Sequence, residues 1–221
     1  MQLHVPHWHN PHIGEYRWPV SVIAAVVVFL QFQLSEQFAM PFKRTFFVLE
    51  VLLLIGLVIS NPKRIHKHHL PTRITGFALT SVMTLSNTVS AIKLIHSLIF
   101  GGIESATKLL IAGGSIYLTN IVVFALWYWD LDRGGPGARA QARNPYPDFL
   151  FPQMSDATYA PKDWHPRFFD YLYVSITNAS AFSPTDAMPL SRWAKLLMTI
   201  QSLTSLLTVG LVIARAVNIL K

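Results

Sequence analysis

Five apolar segments, at 18–36, 42–60, 74–100, 107–129 and 191–219, dominate this sequence. Each reaches or nearly reaches the roughly 20 helical residues that cross a hydrocarbon core. In lipid a backbone must satisfy its own polar groups, which leaves helices or closed barrels, and segments this long and continuous read as helices. Composition agrees: the chain is 52% hydrophobic and 13% charged, about half the roughly 25% charge of a soluble domain. The expectation is an all-α integral membrane protein with about five transmembrane helices. It is multi-pass, with the lipid bilayer as its first partner.

Between the fourth and fifth segments lies a stretch too long for a simple turn. Residues 130–166 carry Pro136, Pro145, Pro147, Pro152, Pro161 and Pro166 with a GGPG run and many aromatics, which predicts an irregular cap at the membrane surface. Residues 167–181, RFFDYLYVSITNASA, are apolar but short, and a half-spanning re-entrant helix fits them. The expected organisation is therefore a His-rich N-terminal segment (1–17), a three-helix membrane domain (18–106) and a third part (107–221). That part comprises an outer helix 107–129, the cap 130–166, a pore helix 167–181, a loop 182–190 and an inner helix 191–219. Trp127, Tyr128 and Trp129 end the fourth span as an interfacial aromatic belt. The start of the chain has no basic run with a cleavage site, so the first span is expected to serve as its own insertion signal.

The segment Thr177 to Asp186, TNASAFSPTD, runs directly into the last apolar span. With Asp186, Pro189 and Trp193 at their intervals, it resembles the pore of the potassium-channel superfamily of two helices and a pore loop. Ala181, Phe182, Ser183, Pro184 and Thr185 stand where the resemblance would place TVGYG. Backbone carbonyls replace the ion's hydration shell in such a filter, and glycine supplies the φ values that aim them. Ser183, Pro184 and Thr185 do not, since a β-carbon disfavours the left-handed region and proline fixes its own φ and restricts its predecessor. The resemblance implies a homotetramer with hydroxyl rings from Ser180, Ser183 and Thr185, a carboxylate ring from Asp186, and inorganic cations permeating with weak selectivity. The run WYWDLDRGGP, then DFLFPQM, then FSPTD also resembles a group of bacterial five-span membrane proteins, which implies the bacterial inner membrane and no particular activity.

Orientation has two readings. Lys63, Arg64, Lys67 and Arg73 fall on the same side as the long linker, so the positive-inside rule turns the filter-like loop toward the cytoplasm. The channel resemblance turns it outward. The net charge of +7 is carried by boundary residues, and no nucleic-acid partner is expected.

Ionisable groups at membrane depth are candidates for function. Glu50 in the second span and Lys93 in the third fall at similar depth, and an intramembrane charge pair is expected, with His96 one turn from Lys93. In the last span Gln201, Ser205 and Thr208 share one helical side, which is expected to face a pore. His4, His7, His9 and His12 are weak metal candidates because their spacing fits no defined site; no metal and no other cofactor is expected. There is no cysteine, no nucleophile–base pair, no phosphate loop and no HExxH helix, so catalysis is not expected. Three classes follow: an oligomeric ion channel, a nonconducting scaffold or sensor on a pore-like fold, and, ranked last, a transporter or metal-dependent membrane enzyme using Glu50, Lys93 and the histidines.

Overall fold

The computed structural model describes residues 7–60, 64–65, 69–101, 105–156, 158, 160–161, 163–181 and 186–219. Each of the five apolar segments is a helix: α1 (Trp18–Gln33), α2 (Lys43–Ser60), α3 (Leu70–Phe100), α4 (Ala106–Leu131) and α8 (Arg192–Ile219). Between the last two come α5 (Pro136–Ala140), α6 (Pro152–Ser155) and α7 (Phe168–Ala181). Among the described residues, α3, α4 with its 3-10 extension to Gly134, and α8 are long and apolar enough to cross a membrane. The helix α1 is apolar but has 16 residues. The helix α2 has 18 residues and includes Lys43, Arg44 and Glu50.

The helix ends follow from sequence. Proline occupies the first turn of α1 and of α3, where a missing N–H costs nothing. Ser105 caps α4, its hydroxyl accepting from the Lys108 N–H at 3.4 Å. Gly101, at φ 90, ends α3 in a conformation that a β-carbon would strain.

The helix α4 is the hub. It packs against α1, α3, α7 and α8, and its buried face includes Leu109, Ile116, Val123, Ala125 and Tyr128. The outward faces of α2, α3 and α8 carry exposed Leu52, Ile55, Ile92, Leu203, Leu206 and Leu207, as lipid-facing helices do.

One end of the bundle carries a cap made from four distant pieces of chain. The strand β1 (Glu15–Tyr16) pairs antiparallel with β2 (Arg64–Ile65), and β3 (Phe149–Leu150) pairs antiparallel with β4 (Met188–Pro189). His12 N–H donates to Ala140 O at 3.0 Å and the Trp8 indole donates to Met154 O at 3.2 Å. The N-terminal segment, the turn after α2, the long linker and the arm before α8 therefore meet on one side. Phe149 is the centre of this cap, its ring meeting Tyr128 at 5.1 Å, Trp193 at 5.7 Å and Tyr171 at 6.2 Å.

Candidate functional site

With 14 residues, α7 is about 21 Å long at 1.5 Å per residue, short of the roughly 30 Å of a hydrocarbon core. Two polar networks tie it to its neighbours.

The first network runs between α4, α7 and α8. Gln201 on α8 donates through Nε2 to Ser175 O at 3.0 Å and Ser175 Oγ at 2.6 Å. Its Oε1 accepts from Tyr128 Oη at 2.6 Å and from Asn178 Nδ2 at 2.8 Å. Asn178 also donates to Met198 O at 3.0 Å, Ser175 Oγ donates to Ile121 O at 2.6 Å, and Asn120 Nδ2 donates to Ser205 Oγ at 3.0 Å. One glutamine thus uses both ends of its amide to hold three helices in register.

This overturns one expectation. Gln201, Ser205 and Thr208 do share a side of α8, but they are 0%, 1% and 2% exposed and turn into the chain's own interior. Lipid offers polar groups no partner, so the polar side seeks α4 and α7. The exposed side of α8 carries Thr199, Leu203, Leu206, Leu207 and Gly210.

The second network lies in the cap, at the start of α7. Tyr171 Oη donates to Asp132 Oδ2 at 2.6 Å, while Asp132 Oδ1 accepts the backbone N–H groups of Asp148 at 2.9 Å and Phe149 at 3.3 Å. Asp148 in turn accepts the Trp193 indole at 2.8 Å and the Arg133 N–H at 2.9 Å, and its carbonyl accepts the Leu190 N–H at 2.8 Å. Arg139, buried, donates to Glu15 Oε1 at 2.8 Å, to Trp129 O at 2.6 Å and to Asp132 O at 3.0 Å. Burial opposes the charge of Arg139, but Tyr171, Glu15 and Asp132 around it outweigh that and hold its pKa above the ordinary arginine value. Trp129 Nε1 donates to Glu15 Oε2 at 2.7 Å.

Gly135, at φ +94, lets the chain turn here: a β-carbon on it would come within 2.9 Å of Asp130 O. Two of the sequence runs singled out above, WYWDLDRGGP and DFLFPQM, converge in this network, and through Asp148 it reaches Leu190 and the first turn of α8. The arm of chain that follows the filter-like loop is thereby fixed on both sides, by β3 and by Trp193.

Of the filter-like residues, Ser180, Ala181 and Asp186 are exposed. The Ser180 hydroxyl bonds back to Ile176 O at 2.8 Å within its own helix. Phe182, Ser183, Pro184 and Thr185 lie outside the described residues.

The expected pair of Glu50 and Lys93 does not form. Lys93 Nζ instead donates to Ala39 O at 2.6 Å, as a long flexible side chain can, and Glu50 accepts from Ser86 Oγ at 3.4 Å. His96 packs on Phe100, with ring centroids 4.6 Å apart.

Of the N-terminal histidines, the described side chains of His9 and His12 have separate partners. His9 meets the Trp8 ring edge-on at 5.8 Å; His12 stacks on His165 at 4.1 Å and accepts the Gly14 N–H at 3.1 Å. Among the described residues no three of His, Cys, Asp or Glu gather to hold a metal ion. His4 and the side chain of His7 lie outside them. Burial, then the charges of His165, Arg139, Arg133 and Arg167, lower the pKa of His12 to about 4. It borders a cleft of about 590 Å³ that Glu15, Trp18, Arg64, His165 and Phe169 also line.

Sequence reasoning missed Glu15, Asp132, Arg139, Asp148 and Tyr171 as positioning groups. The signal available was the cluster of charges in WDLDRGGPGARA, unusual at the edge of an apolar span. No family model, no curated protein and no solved structure matches this chain.

Proposed function

We propose that this chain is the subunit of an oligomeric ion channel, a multi-pass protein of the bacterial inner membrane with α1, α2, α3, α4 and α8 as its five spans and α7 as a re-entrant pore helix. The observation that carries the reading is α7. It is too short to cross, wedged between two long apolar helices and tied at several points to both, and it ends at exposed Ala181 with Asp186 exposed beyond it. Non-spanning backbone at membrane depth belongs where protein or water covers it, and a water-filled axis between copies supplies that cover.

Four copies place their Asp186 carboxylates in a ring that attracts cations without fine discrimination. Because Gln201, Ser205 and Thr208 face inward, the lumen below that ring is lined by the opposite side of α8, where Thr199 is polar and Leu203, Leu206 and Leu207 are not. Such a lumen gates by dewetting.

The apolar character of that same side supports a second reading, a nonconducting scaffold in which the outward side of α8 meets lipid or a neighbouring helix. The two are separated by flux. Proteoliposomes carrying the wild type are expected to take up potassium down its gradient, with Asp186→Asn slower and less cation-selective. Wild-type vesicles as tight as empty ones, with the protein folded, would leave the scaffold.

A further inference from the structure

The helices that precede the pore-like part border a small, partly open pocket into which a few polar groups are gathered. Glu50 on α2 is 2% exposed, and the hydroxyl of Ser86 on α3 donates to its Oε1 at 3.4 Å. No described basic side chain forms an ion pair with it. Lys93 on α3 donates to Ala39 O at 2.6 Å. Lys43 on α2 donates to Leu34 O at 2.6 Å and lies 3.7 Å from Glu36 in the turn after α1, so both ammonium groups are engaged elsewhere.

Beside the carboxylate is a space of about 20 Å³, bordered by Gln31, Lys43, Glu50, Ser86 and Ser90 and otherwise by apolar side chains and Met40, and large enough for one water-sized body. Gln31 on α1 donates through Nε2 to Met83 O at 3.0 Å, which fixes the orientation of its amide. Its Oε1 is buried and has no hydrogen-bond partner. Residues with carboxylate, amide and hydroxyl oxygens from three helices therefore border one small, partly open space.

Carboxylate, amide and hydroxyl oxygens suit a small hard cation, and one carboxylate balances one positive charge. A carboxylate left uncompensated in a membrane-buried site is among the costliest groups a fold can hold. The geometry points to a site for a single Na⁺ ion bound among Glu50, Gln31, Ser86 and Ser90 at the junction of α1, α2 and α3. The site is separate from the α7 region and does not depend on conduction there.

The test uses the full-length protein purified in detergent. Its thermal midpoint is followed as NaCl replaces choline chloride at constant ionic strength at pH 8, and separately from pH 9 to 7 without Na⁺. A ligand that binds only the folded state raises the midpoint with the logarithm of its concentration. Occupation by Na⁺ raises the wild-type midpoint with Na⁺, leaves Glu50→Gln flat, and raises the half-saturating Na⁺ about tenfold in Gln31→Met and Ser86→Ala, as losing one oxygen ligand does. A wild type indifferent to Na⁺ but stabilised on acidification, with Glu50→Gln flat, reports protonation of the Glu50 carboxyl itself and overturns the cation site. A wild type indifferent to both, or a Glu50→Gln that responds as the wild type does, overturns the site. Should Glu50→Gln not fold, unchanged responses in both Gln31→Met and Ser86→Ala overturn it equally.

Discussion

Tyr171 in the first turns of α7 donates its hydroxyl to Asp132 at the end of α4 across 2.6 Å, in a place with no access to water. This contact sets where the short helix begins relative to the long one. Tyr171→Phe leaves Asp132 with its two backbone donors but without the side-chain one. A hydrogen bond to a charged group contributes about 1.5–3 kcal/mol, and a loss of that size is expected in the unfolding midpoint in detergent.

Gln201 is the corresponding fixture at membrane depth. Gln201→Leu removes the acceptor of Tyr128 Oη and one of the two partners of Asn178 Nδ2 and of Ser175 Oγ, and a cost of about 2 kcal/mol is expected, since single interhelical bonds in membranes average about 0.6 kcal/mol. The chain has no cysteine, so single cysteines report cleanly on which side of α8 meets water. Ser205→Cys is expected to resist a water-soluble thiol reagent in the assembled protein, and Thr199→Cys to react. The reverse order would place the lumen on the polar side after all.

Gly113 on α4 lets α8 approach closely: a β-carbon there would lie 2.8 Å from Val212 Cγ2. Gly113→Ala is expected to destabilise by about 1–3 kcal/mol through overpacking. Val212→Ala in the same chain removes the clashing methyl groups and is expected to restore most of the loss, a coupling that a double-mutant cycle in thermal unfolding measures directly.

His12 gives the cap a pH dependence of definite sign. Its pKa falls from an ordinary value near 6.5 to about 4 on folding, so between those values the unfolded chain binds the extra proton. Stability is therefore whole above pH 6.5, declines as the pH falls toward 4, and gains no further loss from this group below that. The difference between the thermal midpoints of wild type and His12→Asn is expected to change across this window and to be constant from pH 7 to 9.

Much of the membrane part was legible because hydrocarbon thickness imposes a length on apolar runs: the five segments and residues 167–181 are helices with ends shifted by a few residues. Periodicity also put Gln201, Ser205 and Thr208 on one side of α8. It did not say which way that side turns, since direction depends on what α4 and α7 present to it. Glu50 and Lys93 were matched by depth alone, and a lysine long enough to reach the Ala39 carbonyl defeats such matching. The cap was illegible for a different reason. Glu15 and Arg139 are 124 residues apart, and Trp8 and Met154 are 146 apart; no local pattern encodes such contacts.

Single-channel recording on Asp186→Cys, reconstituted in planar bilayers under asymmetric potassium chloride, reaches the central claim most directly. The account predicts a cation-preferring current from the wild type, unaffected by a positively charged thiol reagent because it lacks any cysteine, and a less selective current from Asp186→Cys that the same reagent abolishes within the recording. A folded, oligomeric wild type that stays silent across voltage, pH and membrane tension, or a current from Asp186→Cys that modification leaves unchanged, would contradict it.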